Sequence, residues 1–292
     1  MTGRWLVVGG MGAVGALFIR RLVEDGHDVC VVDPAVPEGY SDRPVRWLRG
    51  DVLAPDDRLT AELRSADAVL LAVPEPVAVA AVPVVAELLR PDALLVDTLS
   101  VKQHIADTIR KHAPDVQAVG LNPMFAPSLG FEGRPVAAVV VHDGPQVPEL
   151  YELVDSWGAR IVPLDDARHD RLTAAVQALT HASVLSFGLA LDRLDPGAGE
   201  LRELGPPPYT TLAALLARVS SGTTEVYWDV QSANPQAAAA RAALADAARR
   251  FADAVEYGTE ADFAAVMAAA RGALGPELEH YSGIAERIFT SR

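Results

Sequence analysis

Apolar runs without polar alternation recur along the first half of the chain, at positions 5–8, 29–32, 67–74, 93–97, 116–120 and 136–141, with shorter ones at 45–48 and 160–162. A strand that is apolar on both faces is buried on both faces, as in a parallel sheet covered by helices. Between the runs lie stretches of helical pattern at 13–26, 56–64, 77–89 and 148–157, and another helix opens at Ser100-Val101-Lys102. Strand and helix in alternation predict an α/β doubly wound parallel sheet, with ligands at the carboxyl ends of the strands. Past Asp165 the strand-like runs stop and Ala-rich helical periodicity continues to the end. Breaks at Pro196-Gly197, at 206–208, at Asn234-Pro235 and at Gly275-Pro276 predict about five helices, the first over 167–193. The Ala-rich tract 237–273 keeps charged residues at helical spacing and reads as a packed helix pair rather than low complexity. Two domains are expected, 1–165 and 166–292.

The first strand runs into Gly10-Met11-Gly12-Ala13-Val14-Gly15, and the second ends on Asp33, 18 residues after Gly15. Strand, glycine turn, helix, strand and terminal acid together form the dinucleotide fingerprint of a Rossmann-type sheet. Gly10 is expected to make the tight turn, Gly12 to admit a pyrophosphate, and Gly15 to let helix and strand pack. The amides of the helix start face the phosphates. Asp33 is placed to accept from ribose hydroxyls, and no Arg or Lys adjoins it to receive a 2′-phosphate, so NAD is expected. Val73 and Pro74, at the end of a further strand, border the same cofactor.

At 292 residues and a formal charge of −14, the chain is large enough for two cores and poorly suited to nucleic acid or an anionic membrane surface. An acidic substrate would need a local basic group. The lone Cys30 lies in a strand, which excludes an internal disulfide and fits a reducing, cytoplasmic setting. The chain is expected to start on a strand rather than a leader, and no apolar run is expected to span a bilayer. No spacing of His and acids assembles a metal site.

Several motifs occur in order: Ala72-Val73-Pro74, Asp97 through Ser100-Val101-Lys102, Gly120-Leu121-Asn122-Pro123-Met124-Phe125, Trp157-Gly158-Ala159-Arg160, His169-Asp170, Gln177-Ala178-Leu179-Thr180-His181 and Pro207-Pro208-Tyr209. With the glycine turn, they resemble the prephenate dehydrogenase family over essentially the whole chain, most strongly between 70 and 182. The resemblance implies a Rossmann domain followed by an all-α domain that forms a homodimer. It also implies an NAD(P)-dependent oxidative decarboxylation of a small anionic cyclohexadiene. Ser100, Lys102 and His181 stand at matching positions, Ser100 and His181 with the reacting groups and Lys102 and Tyr209 with the substrate.

Two positions depart from the family pattern. Asn122 stands where the family has a His that accepts a hydrogen bond from the substrate's ring hydroxyl, and an amide is no base near neutral pH. Thr210 stands where an Arg is expected to hold a carboxylate, a contact worth about 1.5 to 3 kcal/mol. Three readings stay open: a prephenate or arogenate dehydrogenase that tolerates both changes, a non-catalytic NAD-binding regulatory protein, or an enzyme for a ring with another group at C4. An amino group at C4 can expel hydride with its own lone pair and needs no imidazole. The expected substrate is therefore 4-amino-4-deoxyprephenate, and the family includes enzymes of antibiotic biosynthesis that act on it. Each position also has a plain structural reading. Ser100 would cap a helix, Lys102 lie on a solvated face, Asn122 make a turn before Pro123, Tyr209 seal a crevice, His181 fill a core, and His169-Asp170 simply begin a long helix.

Overall fold

The computed structural model describes residues 3–42, 44–195 and 197–290, so Pro196 of the expected break lies outside the described residues. The chain forms two compact units, 1–173 and 174–292. The first is built on one eight-stranded sheet in the order β3-β2-β1-β4-β5-β6-β7-β8. Its strands are β1 (Arg4–Val8), β2 (Asp28–Val32), β3 (Arg46–Leu48), β4 (Ala68–Leu71), β5 (Leu94–Asp97), β6 (Gln117–Pro123), β7 (Pro135–His142) and β8 (Arg160–Pro163). The doubly wound fold expected from the apolar runs is present. The sheet departs from all-parallel at one joint, since β7 runs antiparallel to β6. The connection between them is a loop with one short 3-10 turn, Pro127–Leu129, and without a crossover helix the chain returns in the opposite direction.

Helices cover both faces. Leu17, Phe18 and Leu22 of α1 (Ala13–Glu24) and Val147, Leu150 and Val154 of α5 (Gln146–Ser156) share one buried cluster with Val7, Val31, Val96 and Leu121 of the sheet. The other face buries Leu59 and Leu63 of α2 (Asp57–Ser65), Ala81 and Val85 of α3 (Glu75–Leu88) and Ile105 and Ile109 of α4 (Gln103–His112) against Leu6, Val69, Leu95 and Ala118. The sheet order reverses between β1 and β4, which lie side by side, so the ligand crevice of such folds opens at their carboxyl ends.

The unit boundary falls at Thr173 rather than at 165. The reason is α6 (Asp166–Thr173), whose His169 and Asp170 hydrogen-bond to β6 and to the start of α4, which ties this helix to the nucleotide unit.

The second unit begins with a π-helical turn, Ala174–Leu179, and continues as α7 (Thr180–Leu194), α8 (Ala198–Leu204), α9 (Pro207–Ser220), α10 (Thr224–Ser232), α11 (Ala237–Glu256), α12 (Glu260–Leu274) and α13 (Leu278–Thr290). Breaks at Gly222-Thr223 and Gly258-Thr259 add helices beyond the five expected. At the second, Thr259 and Asp262 form a reciprocal capping box that stops one helix and starts the next. Helix 166–194 also corrects the expectation about membranes. Its length and an apolar window of mean hydropathy 1.4 meet the bare requirement for a span. Only 17% of that window is buried, and Leu189 (72% exposed), Leu194 (76%) and Leu204 (84%) leave apolar surface uncovered in this unit.

Candidate active site

The glycine turn connects β1 to α1. The residue with positive φ is Gly9 (+85°), not Gly10, so the tight turn is made one position earlier than expected. A side chain at Gly9 would also strike the carbonyl of Ala72. Gly10 is instead required by packing, because a Cβ there would sit 2.2 Å from Val31 Cγ1. At Gly15 a Cβ would sit 2.5 Å from the Gly9 carbonyl, which is the expected close approach of helix to strand. Gly12 meets no such wall, its nearest neighbour being 3.3 Å away, so the fold demands a glycine there least and a ligand's approach accounts for it best.

Gly12 is also the N-cap of α1, with no side-chain cap and no acid in the first turn. The amides of Ala13, Val14 and Gly15 thus form an uncompensated positive end suited to a pyrophosphate. Asp33 is buried and accepts from Met11 N at 3.1 Å and Ala35 N at 2.8 Å. Each carboxylate oxygen keeps a lone pair for a ribose hydroxyl. Val73 packs beside Gly9, and Pro74 caps α3. These groups fit a dinucleotide.

Beyond the turn, the carboxyl ends of β5 and β6 hold a buried polar cluster. Asn122 is a strand residue, paired in register with Ala137 of β7, and not part of a turn. Its Nδ2 lies 3.1 Å from His169 Nε2. His169 Nδ1 is 2.8 Å from Asp170 Oδ1. The Asp170 carboxylate also accepts from Lys102 N (2.8 Å) and Gln103 N (2.9 Å). Asp170 therefore caps α4, the task expected of Ser100, which sits half-buried before the helix with its side chain uninvolved in the cap.

Lys102 departs from both of its expected placements. Rather than facing solvent or substrate, it is buried, with Nζ 2.5 Å from Asp97 Oδ1 and 3.0 Å from the Leu121 carbonyl. Gly120 makes room for this pair, since a Cβ there would meet Asp97 Oδ2 at 2.8 Å and Lys102 Cδ at 2.9 Å. Burial pulls the Lys102 ammonium below its ordinary value against the opposing effect of Asp97. Burial likewise lowers His169, against Asp170 and aided by Lys102, so its ring is neutral at pH 7.

In the helical unit, His181 and Gln177 are four residues apart across the end of the π-helical turn, a feature common at functional sites. His181 Nδ1 and Gln177 Oε1 are both buried without a hydrogen-bond partner among the described residues. The His181 ring packs edge-on to Tyr227 of α10 at 4.8 Å. Burial lowers its pKa, and the Arg218 guanidinium of α9 adds to the effect. No carboxylate pairs with Arg218 among the described residues. Tyr209 packs on Phe187, and Thr210 is exposed with Oγ1 3.5 Å from the Gly205 carbonyl. Sequence reasoning passed over Arg218 and treated His169-Asp170 as a mere helix start.

Comparison with known proteins follows the same lines. The family described as "Prephenate dehydrogenase, nucleotide-binding domain" matches residues 39–162. A 4-amino-4-deoxyprephenate dehydrogenase of Streptomyces pristinaespiralis is 54% identical over 99% of this chain and 97% of its own. A probable arogenate/prephenate dehydrogenase of Methanocaldococcus jannaschii is 24% identical over 98% of this chain and 65% of its own. Among solved structures, prephenate dehydrogenase from A. aeolicus, in complex with hydroxyphenyl propionate and NAD+, shares the fold with a TM-score of 0.69 at 16% identity, over 98% of this chain and 96% of its own. On the strength of the near full-length relative, the chain belongs to the prephenate dehydrogenase family.

Proposed function

We propose that the protein is an NAD-dependent dehydrogenase that converts 4-amino-4-deoxyprephenate to 4-aminophenylpyruvate and CO2. The observation that carries this reading is an amide, Asn122, at the polar end of β6, in a chain 54% identical to a relative named for that reaction. Bound NAD supplies the hydride acceptor. The substrate loses hydride from C4 and CO2 from C1, and the electrons of the broken C1–carboxylate bond complete the aromatic ring. The amine reacts as the free base, so its lone pair assists departure of hydride and no group has to remove a hydroxyl proton. An acceptor that engages an amine N–H leaves that lone pair available. A donor aimed at the lone pair would oppose the reaction.

Ser100 and Asn122 are assigned to the ring end of the substrate, and His181 to its carboxylates. The unpartnered buried Nδ1 of His181 supports the latter, because a ring N–H there can donate to a carboxylate oxygen and such an atom costs stability unless a ligand satisfies it. Arg218, beside His181 and without an acid partner, supplies the cation that Thr210 lacks. In the same reading the protein is cytoplasmic and a homodimer through its helical unit. The exposed Leu189, Leu194, Leu204 and Trp228 give that unit an apolar surface that a second copy would cover. Formation of NADH from each substrate tests the reading. Faster turnover of the amino substrate than of prephenate is expected; the reverse preference would make it a prephenate dehydrogenase, and turnover of neither would favour a regulatory role.

A further inference from the structure

We infer that His169 is a positioning residue that fixes which end of the Asn122 amide faces the substrate. The inference rests on the proposed 4-amino substrate and names the group that sets selectivity toward it.

Asp170 Oδ1 and Oδ2 receive the backbone N–H groups of Lys102 and Gln103, so both oxygens act as acceptors. His169 Nδ1, 2.8 Å from Oδ1, must therefore carry the proton. In a neutral imidazole the other nitrogen then has a lone pair and no hydrogen. Nε2 can only accept, and the group 3.1 Å away on Asn122 must be the amide's N–H end. The Asn122 carbonyl oxygen is left as the free end. Asp170, His169 and Asn122 thus form one chain of hydrogen bonds whose polarity is set by the helix terminus. All three residues are buried, which holds water away from the chain and removes its chance to reverse.

The charged and titratable groups facing His169 are Asp170 on its own helix, Lys102 at the start of α4 and Asp97 at the end of β5. Lys102 is bound to Asp97, and burial is the largest influence on His169, so the ring stays neutral around pH 7. The chemical consequence is specific. With the carbonyl outward, Asn122 accepts an N–H from the C4 amine and leaves the nitrogen lone pair to assist loss of hydride. With the amide reversed, its N–H would donate into that lone pair. Side-chain amides interconvert by a simple rotation, and only a partner of fixed polarity selects one orientation.

Two measurements on the full-length protein decide the matter. The first is the 15N spectrum of the histidine rings at pH 8, with the His169 signals assigned by their loss in His169→Gln. A protonated Nδ1 and an unprotonated Nε2 are expected; a proton on Nε2 overturns the inference. The second compares two variants on both substrates. His169→Phe keeps the bulk and removes the acceptor, and should lower kcat/KM for 4-amino-4-deoxyprephenate about tenfold or more while leaving the KM for NAD unchanged. His169→Gln can present its carbonyl at the Nε2 position and should recover to within about threefold of the parent. Equal losses in the two variants, or equal losses on the amino substrate and on prephenate, would mean a structural role only. Should His169→Phe fail to fold, the ring spectrum of the parent protein still decides. Absence of turnover of the amino substrate by the parent would sink the proposed function but leave the tautomer result readable on its own.

Discussion

Lys102 Nζ stands 2.5 Å from Asp97 Oδ1 with both side chains buried, so the one basic residue of the Ser-Val-Lys segment is spent inside the sheet rather than on a substrate. Asp97 Oδ1 also accepts from Leu99 N, while Oδ2 is buried without a partner. Removing one member of such a pair leaves a bare charge in the interior. Lys102→Met is expected to destabilise the fold by about 3 to 5 kcal/mol, and the combined Lys102→Met and Asp97→Leu variant to recover much of it. Urea denaturation of the three proteins measures both values. A loss under about 1 kcal/mol for the single variant would show that the pair is not held dry.

Stability should depend on pH through the two depressed histidines. His169 and His181 both have folded-state pKa values below the ordinary 6.5, chiefly through burial. Below about pH 6.5 the unfolded chain therefore binds more protons than the folded one. Their contribution is complete above that pH and is lost as the pH falls through the folded values. The urea midpoint should decline between pH 7 and pH 5, and His169→Gln should flatten the decline. A parallel decline in the variant would assign the effect to other groups.

Asn122→His puts back the imidazole on which the family's hydroxyl substrate depends. General-base assistance contributes about 10²- to 10⁴-fold where it is well placed, so a gain of about tenfold or more in kcat/KM on prephenate is expected. Activity on the amino substrate should not gain, because its loss of hydride needs no hydroxyl proton removed. NADH formation on the two substrates gives both numbers, and no gain on prephenate would mean that hydroxyl activation is not what position 122 controls.

The strands of the nucleotide unit were legible because parallel strands buried on both faces leave unbroken apolar runs, and the glycine turn because steric demands at Gly10 and Gly15 admit nothing else. The cluster around Asn122 was not. Residues 165–171 read Asp-Asp-Ala-Arg-His-Asp-Arg, which has the look of a solvated helix start, and only tertiary structure turns His169 and Asp170 inward. One signal was available: Asp170, Ala174 and Ala178 lie at successive i, i+4 positions, so the small-residue face runs back onto the acid, and all three are buried. Lys102 misled for the opposite reason. A lysine in an acidic protein invites a role with an anion, whereas its partner Asp97 ends the neighbouring strand five residues earlier.

Arg218 is the last group whose role can be separated experimentally. It lies one helix away from His181, on α9, where α7 and α9 approach closely enough that a Cβ on Gly188 would meet Leu216 at 2.7 Å. If its guanidinium holds a substrate carboxylate, Arg218→Ala forfeits a charge-assisted contact of about 1.5 to 3 kcal/mol, and the KM for the amino substrate should rise by roughly ten- to a hundredfold with a smaller change in kcat. Arg218→Lys should fall between, since an ammonium supplies charge without the planar fork. The His181 ring gives an independent readout. Arg218 helps keep its pKa low, so removing the guanidinium should raise that pKa, visible by NMR titration of the ring. A raised His181 pKa with an unchanged KM would place Arg218 beside the histidine but away from the substrate, and the carboxylate would then need another partner.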